Sequence, residues 1–358
     1  MINLIDMGKK GIYWLLLSTG LLLAILSIYT GLRFKSLGAF VEVKDSFEGI
    51  YTVVAEVPGP EALQLDRETG TLYFISNNPC AGQKPRGSIY YLKLDSPNAI
   101  AHPLKFDHPK DFHPHGLSFF RDKQKKKYLF TNNHRDDGSH TVEIFSITAG
   151  DNLEHQITIS GNELTSPNDL VAVGPRQFYV TNDGRSHDCR IRSIDTFLAR
   201  KTGNVLYYDG REFIEVVDNL HFPNGIAFDI KTSSLIVGET LSGNIIIYRL
   251  DDNNIIQSVD NFFIGTGIDN LSLEEAGSIL VAVHPNLWAL SQHMKSIDKQ
   301  SPSKVFRVNY QTKGLKLLYQ HDGSIISAVS TAVSYKDNLF LGVVCDKKLL
   351  KLKINNDP

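Results

Sequence analysis

The feature that most constrains this chain is a pattern that recurs six times. Each unit begins with Pro, Asp or Ser, continues with a polar residue and a small apolar stretch, and reaches a β-branched strand after a turn. The units start at Pro60, Pro114, Pro167, Pro223, Asp269 and Ser330. Their polar positions are 46 to 61 residues apart, with a mean of about 54. Repeats of this length without a long helical pattern indicate a propeller or a solenoid.

Further strands complete the units. Each unit has a third strand, such as GSIYYLKL from Gly87, and five have a fourth, such as GLKLLYQH from Gly314. The segment GIYTVVAEV at 49–57 precedes the first unit, and we expect it to supply the missing outer strand of the sixth. Such a closure removes an open sheet edge. The sequence therefore predicts an all-β fold, a six-bladed β-propeller with four strands per blade.

The repeated polar residues should meet at one end of the propeller channel, because the inner strands all begin there. Five oxygen-bearing side chains occupy or adjoin this repeat position: Glu61, Asn168, Asn224, Asp269 and Asn270. Calcium prefers such oxygen ligands, and two neighbouring buried carboxylates are costly without a cation. Turn formation explains any single Asn, but three at the same repeat position favour a calcium site.

Two histidines in the second unit suggest catalysis beside this site. His115 begins the inner strand in FHPHGL, and His134 ends its hairpin partner in TNNHRDD. An antiparallel pair would place both at the same end of the blade. Imidazole is a good base near neutral pH, so the pair predicts activation of a water for attack on a carbonyl. The alternative is that both histidines are structural.

The N-terminal segment differs from the rest of the chain. No charged residue occurs in 11–32, and a helix of this length spans a hydrocarbon core of ~30 Å. We interpret residues 1–35 as a signal anchor and 36–358 as the catalytic propeller, with a cleaved or retained signal sequence as the alternative. A membrane-anchored protein follows, with the propeller in the secretory lumen or outside the cell. Cleavage would instead release a secreted form.

Composition excludes one class of partner. Lys and Arg number 37 and Asp and Glu 39, giving a formal net charge of −2. A nucleic-acid binder needs a basic excess to neutralise phosphates, so none is expected. The chain also lacks a G-x-S-x-G nucleophile turn, which disfavours a serine acyl-enzyme.

The ordered motifs FHPHGLS, TVEIF, PNDLVAVGP, FYVTND, FPNGI, DNLS and HPN resemble the paraoxonase family of calcium-dependent lactonases and arylesterases. The resemblance covers about 300 residues, from Glu61 to the end. It implies a six-bladed propeller with two calcium ions in the channel. It also implies that the five oxygen ligands hold the catalytic ion and that His115 and His134 form the catalytic dyad.

The chain departs from the family in two places. In the family, an acidic residue after the channel glutamate binds a second calcium, but here that residue is Ala62. Asp169 and the backbone carbonyl of Leu117 match the family's other ligands, so a second ion would be weakly held. The family's vertebrate disulfide between the closing strand and the last blade has no counterpart here, so closure is expected to depend on hydrogen bonds and packing. Cys80–Cys189 is one alternative bridge.

We therefore expect a calcium-dependent hydrolase of lactones and of aryl or carboxylic esters. Phe222, His284 and Thr331 would line the channel mouth and form the substrate wall. One alternative is a non-catalytic propeller displayed on a membrane, since fold alone does not establish chemistry. The other is an enzyme resembling gluconolactonases or strictosidine synthases, which use similar channel ligands.

Overall fold

A computed structural model describes residues 4–47, 49–80, 86–97, 99–107, 109, 111–150, 152–274 and 277–354. It contains six four-stranded antiparallel sheets. Helix α1 (Leu4–Ser36) precedes strand β1 (Tyr51–Ala55). Blade 1 comprises β2 (Leu63–Asp66), β3 (Thr71–Ser76), β4 (Ser88–Lys93) and β5 (His102–Pro103). Blade 2 comprises β6 (Pro114–Arg121), β7 (Lys127–His134), β8 (His140–Thr148) and β9 (Asn152–Ser160).

The remaining blades repeat this order. Blade 3 comprises β10 (Pro167–Gly174), β11 (Gln177–Asn182), β12 (Gly203–Tyr208) and β13 (Phe213–Leu220). Blade 4 comprises β14 (Pro223–Asp229), β15 (Ser234–Glu239), β16 (Asn244–Leu250) and β17 (Ile256–Phe263). Blade 5 comprises β18 (Ile268–Leu273), β19 (Ser278–Val283), β20 (Ser303–Asn309) and β21 (Gly314–His321). Blade 6 comprises β22 (Val329–Tyr335), β23 (Asn338–Val343), β24 (Leu349–Lys353) and, as its outer strand, β1. The prediction of a six-bladed propeller with four strands per blade is confirmed.

The hydrophobic core lies between neighbouring blades. Tyr73 of blade 1 stacks on Phe119 of blade 2 with ring centroids 5.6 Å apart. Tyr179 of blade 3 stacks on Phe228 of blade 4 at 5.5 Å. Six buried apolar clusters fill the six junctions between blades. Because every blade packs on two others, the alternating apolar residues of each strand are buried only when the ring is closed.

The ring is closed at the junction of blades 6 and 1 in two ways. Strand β1 pairs antiparallel with β24, for example Thr52 with Lys351. In addition, a disulfide joins Cys80, which follows β3, to Cys345, which follows β23. Cys189 is the exposed free cysteine of the described residues. The expectation that hydrogen bonds and packing alone close the ring was therefore wrong, as was Cys80–Cys189 as the candidate bridge. The two bonded residues are distant in sequence and become neighbours only in the closed ring.

Two short helices lie at the end of the channel where the inner strands begin, which we call the upper face. Helix α2 (Cys189–Phe197) follows β11, and α3 (Leu287–Lys295) follows β19. The C-terminal end of α1 packs on both: Arg33 donates to the carbonyl of Phe197 at 2.7 Å, and Phe34 packs edge to face on Trp288. Helix α1 therefore joins the propeller at its upper face.

Candidate functional site

The five predicted calcium ligands lie together at the upper end of the channel, at the start of the inner strands. All are nearly buried, with 6–8% of each residue exposed: Glu61, Asn168, Asn224, Asp269 and Asn270. Four belong to β10, β14 and β18, and Glu61 lies two residues before β2. The repeat spacing thus brings five oxygen-bearing side chains from four blades to one place.

Side-chain hydrogen bonds from the preceding blade hold the backbone of these strand starts. The Thr181 hydroxyl donates to the carbonyl of Asn224 at 2.8 Å, and the Asn132 amide donates to the carbonyl of Asn168 at 2.9 Å. Ser330 of blade 6 donates to the carbonyl of Glu61 at 2.8 Å. Each of these donors is fully buried, where an unpaired carbonyl would be costly. The bonds therefore fix the position of each strand start relative to its neighbour.

Gly225 allows two inner strands to approach closely beside the site. A Cβ atom at this position would lie 2.5 Å from the backbone nitrogen of Leu271 and would also contact the carbonyl oxygen of Asp269. Real Cβ atoms do not come so near to backbone atoms. The glycine after Asn224 is thus required by the close approach of β14 and β18, in addition to any role in a turn.

Glu61 and His115 form the central polar contact of the site. Glu61 Oε1 accepts a hydrogen bond from His115 Nε2 at 3.0 Å. Burial acts to lower the pKa of His115, but the carboxylates of Glu61, Asp269 and Asp183 outweigh it and raise the pKa to about 9. In the ion-free site the carboxylates therefore favour the protonated imidazole.

The chemistry of the donor set fits a calcium ion. Glu61 Oε2 and Asn224 Oδ1 are buried acceptor oxygens that lack a hydrogen-bond partner within the described part of the chain. The Asn168 amide donates to the carboxylate of Asp183, which leaves its carbonyl oxygen for an ion. Among the described residues no group of three or more His, Cys, Asp or Glu is arranged for a metal. The candidate set instead combines two carboxylates with three amides, which suits a hard cation.

The second predicted ion has less support from the described contacts. Asp169 Oδ1 accepts from the backbone nitrogen of Leu170 at 2.8 Å, and Oδ2 accepts from that of Ile226 at 3.2 Å. Burial raises the pKa of Asp169 to about 7. Ala62 and Leu117 are buried in one core cluster, and neither side chain adds a carboxylate. Each oxygen of Asp169 thus accepts one backbone hydrogen bond and retains a lone pair, and the weakly held second ion stays a prediction.

The two predicted catalytic histidines are adjacent, and a third extends the pair. The rings of His115 and His134 pack edge to face with centroids 5.0 Å apart. His134 Nδ1 lies 2.9 Å from His140 Nδ1. Sequence reasoning missed His140. The sequence could have revealed it, because the segment HRDDGSH places His134 and His140 at opposite ends of a short hairpin loop.

The three residues predicted to form the substrate wall have different surroundings. His284 is buried, and its Nε2 lies 2.6 Å from Asp269 Oδ2. Thr331 is buried within β22, whereas Phe222 is half-buried and has a positive φ of 57°. His284 is thus a polar partner of a candidate ligand, and the wall stays a prediction for the other two.

Comparison with known proteins defines the relatives of this site. The profile of the family described as Arylesterase matches residues 57–351. The chain belongs to the arylesterase family. Serum paraoxonase/arylesterase 2 of Gallus gallus is 31% identical over 277 residues, covering 75% of this chain and 77% of that protein. Serum paraoxonase/arylesterase 1 of Homo sapiens is 32% identical over 252 residues, covering 68% and 69%.

Solved structures with lower sequence identity share the fold. A luciferin-regenerating enzyme has a TM-score of 0.54 at 12% identity, covering 86% of this chain and 97% of that one. Regucalcin from Agrobacterium tumefaciens has a TM-score of 0.52 at 13% identity, covering 88% and 98%. At such identities the likeness shows the propeller alone. Arylesterase membership is what places the chain among enzymes that hydrolyse esters and lactones.

The N-terminal helix is long and apolar enough to cross a membrane. The span Gly11–Ser36 has a mean hydropathy of 2.0, and none of its most apolar window is buried. A signal sequence near an N-terminus shares these properties. The span therefore supports membrane association weakly, by length and composition.

Proposed function

We propose that the protein is a calcium-dependent hydrolase of lactones and of aryl or carboxylic esters. The observation that carries the proposal is the pair of buried acceptor oxygens, Glu61 Oε2 and Asn224 Oδ1, which have no hydrogen-bond partner in the described chain. The other oxygen of Glu61 is bonded to the imidazole of His115. Membership of the arylesterase family agrees with this chemistry.

Glu61, Asn168, Asn224, Asp269 and Asn270 would hold the calcium ion. When bound, the ion polarises a substrate carbonyl and stabilises the negative charge that develops on its oxygen. The two oxygens of Glu61 divide their roles, because Oε1 accepts from His115 and Oε2 has no protein partner. The same carboxylate thereby contributes to the ion site and orients the imidazole.

The contact with Glu61 supports one particular atom of His115 as the base. A calcium ion held beside Glu61 and Asp269 would offset the carboxylate charge that raises the pKa of His115 in the ion-free site. Neutral His115, with its proton on Nε2 and donating to Glu61 Oε1, then has its lone pair on Nδ1. His115 Nδ1 is a buried atom without a hydrogen-bond partner in the described chain. We assign it as the general base that accepts a proton from the attacking water.

His115 can then carry out both proton transfers of the reaction. As the water O–H bond breaks, a new bond forms between water oxygen and carbonyl carbon, and His115 Nδ1 takes the proton. The bond from carbon to the leaving oxygen breaks next, and the proton passes from His115 to that oxygen. The products are a carboxylic acid and an alcohol, or one hydroxy acid from a lactone. His134, in ring contact with His115, assists the proton transfer.

Membrane anchoring is part of the proposal. Helix α1 would hold the propeller at the membrane, in the secretory lumen or outside the cell, with a secreted form if the segment is cleaved. The contacts of Arg33 and Phe34 with α2 and α3 support a fixed rather than flexible attachment. Alkaline carbonate extraction tests this part, because release of the full-length chain into the soluble fraction contradicts an anchor.

Hydrolysis assays with and without a chelator test the central claim. We expect full-length protein to hydrolyse phenyl acetate or δ-valerolactone, to lose that activity in EDTA, and to regain it with added Ca²⁺. His115→Gln should lower turnover about 100-fold or more while calcium binding, measured by calorimetry, is kept. His102→Gln, at an exposed site in β5, is the control. Activity that survives exhaustive chelation contradicts the proposal, and absence of all turnover favours the scaffold alternative.

A further inference from the structure

Three consecutive strands of blade 2 each contribute one histidine to a line that leads away from the channel. His115 belongs to β6, His134 to β7 and His140 to β8. Ring centroids are 5.0 Å apart in the first pair and 4.7 Å apart in the second. The contact between His134 and His140 is a direct one between their Nδ1 atoms, at 2.9 Å.

The hairpin between β7 and β8 determines this contact. His134 and His140 are directly opposite each other in the antiparallel register, so their side chains share one face. The loop between them is held by the backbone bond from Arg135 nitrogen to Ser139 oxygen, at 3.0 Å, and by Gly138 at a positive φ of 83°. Such a short ordered loop fixes the register.

Hydrogen bonding decides which histidine donates. Two Nδ1 atoms at this distance need one proton between them, so one ring donates and the other accepts. The backbone carbonyl of Thr165 also accepts a hydrogen bond from the His140 ring. Because His140 Nδ1 faces His134, Nε2 is the ring nitrogen left to donate to Thr165. A neutral His140 with its proton on Nε2 has a lone pair on Nδ1, so His134 Nδ1 is the donor.

The surroundings keep His140 neutral. Burial is the largest cause that lowers the pKa of His140 to about 4, followed by electrostatic repulsion between its protonated form and the nearby Arg192, His187 and His115. The Thr165 carbonyl opposes this shift. Around neutral pH the ring is therefore neutral, and only one of its two nitrogens carries a proton.

We propose that His140 is a positioning residue for the hydrolase, which fixes His134 in the tautomer with its proton on Nδ1 and its lone pair on Nε2. The inference rests on the proposed function, because the tautomer of His134 matters for catalysis only if His134 assists His115. Partners that orient a functional histidine are typically worth about 10- to 100-fold. His140 touches neither the channel ligands nor the attacking water in this assignment and acts through His134.

Two substitutions at the same position separate the hydrogen bond from the ring. His140→Phe keeps the ring shape and removes the acceptor, whereas His140→Asn places an amide oxygen where Nδ1 lies. In the full-length, calcium-loaded protein, we expect His140→Phe to lower kcat for phenyl acetate and δ-valerolactone about 10- to 100-fold, with KM within about twofold of wild type. We expect His140→Asn to keep at least about a third of the wild-type kcat.

Nitrogen NMR of protein labelled with ¹⁵N-histidine reads the tautomer directly and needs no turnover. A proton on Nδ1 of His134 in wild type and in His140→Asn, but a mixture of tautomers in His140→Phe, supports the inference. A wild-type His134 with its proton on Nε2 overturns it, even if hydrolysis is intact or if His140→Phe fails to fold.

Steady-state kinetics provide a second, independent test of the positioning role of His140. A folded His140→Phe protein with wild-type kcat overturns the positioning role whatever the tautomer. Complete lack of hydrolysis by wild type, with the expected tautomer present, contradicts the proposed function and removes the catalytic role while leaving the hydrogen bond established. The two failures are therefore distinguishable.

Discussion

Removing the Cys80–Cys345 disulfide should destabilise the propeller strongly. The bond links residues 265 positions apart, at the junction where the ring closes. In the chain-entropy model, a disulfide that closes a loop of that length stabilises the folded state by about 5.6 kcal/mol at 25 °C. Measured losses on removing native disulfides are typically about 2–5 kcal/mol. We expect the double variant Cys80→Ser/Cys345→Ser to lose stability within that measured range.

The loop that carries Glu61 lies beside this disulfide. The backbone nitrogen of Gly59 donates to the carbonyl of Asp346 at 2.9 Å, and that of Val343 donates to the carbonyl of Pro60 at 3.0 Å. These bonds persist when the disulfide is removed, so the variant should still fold into a closed ring. The expected loss is therefore in the free energy of unfolding, and the blades should keep their secondary structure.

Urea denaturation followed by circular dichroism measures this loss, with EDTA present so that calcium does not contribute. Cys189→Ser is the matched control, because Cys189 is exposed and unpaired among the described cysteines. We expect the free energy of unfolding of the control to lie within about 0.5 kcal/mol of the wild-type value. A double variant with the same free energy of unfolding as the control refutes the reasoning. Detection of three free thiols in the wild-type protein by mass spectrometry refutes it as well.

Two further predictions concern packing and pH. Gly225→Ala should lower the free energy of unfolding by about 1–3 kcal/mol and weaken calcium binding, because the added Cβ would contact the carbonyl oxygen of Asp269. Calorimetry measures both quantities, with Gly314→Ala as the control because a Cβ there would lie 3.4 Å from its nearest neighbour. Equal stability and equal calcium affinity of the two variants contradict the prediction. Burial would raise the pKa of Asp66, but hydrogen bonds and charge from Lys127 and its neighbours lower it below 3.8. A lowered folded pKa stabilises the protein above the unfolded pKa of about 4, so stability should fall as the pH drops from about 4 through the lower folded pKa. Thermal unfolding at a series of pH values should show this loss in wild type and a smaller one in Asp66→Asn; identical curves contradict the role of Asp66.

Much of the site could be predicted from the sequence because the repeat is local. A residue at the same position in each unit takes the same place at the start of each inner strand, so Asn168 and Asn224 could be aligned without a structure. The proximity of His115 and His134 followed likewise from one hairpin. His140 lies in the next hairpin of the same blade, so the same local reasoning would have reached it.

The sequence by itself determined the propeller, the number of blades and the convergence of the oxygen ligands, since strand periodicity and repeat length are properties of short segments. Only the tertiary structure decided that Cys80 pairs with Cys345, that His284 bonds Asp269, and that backbone nitrogens donate to Asp169. The bond to Cys345 and the donation from Ile226 to Asp169 join different blades, and His284 meets Asp269 across neighbouring strands. Repeat spacing says where a residue sits in its own blade, but these partners become neighbours only when the strands pair and the ring closes.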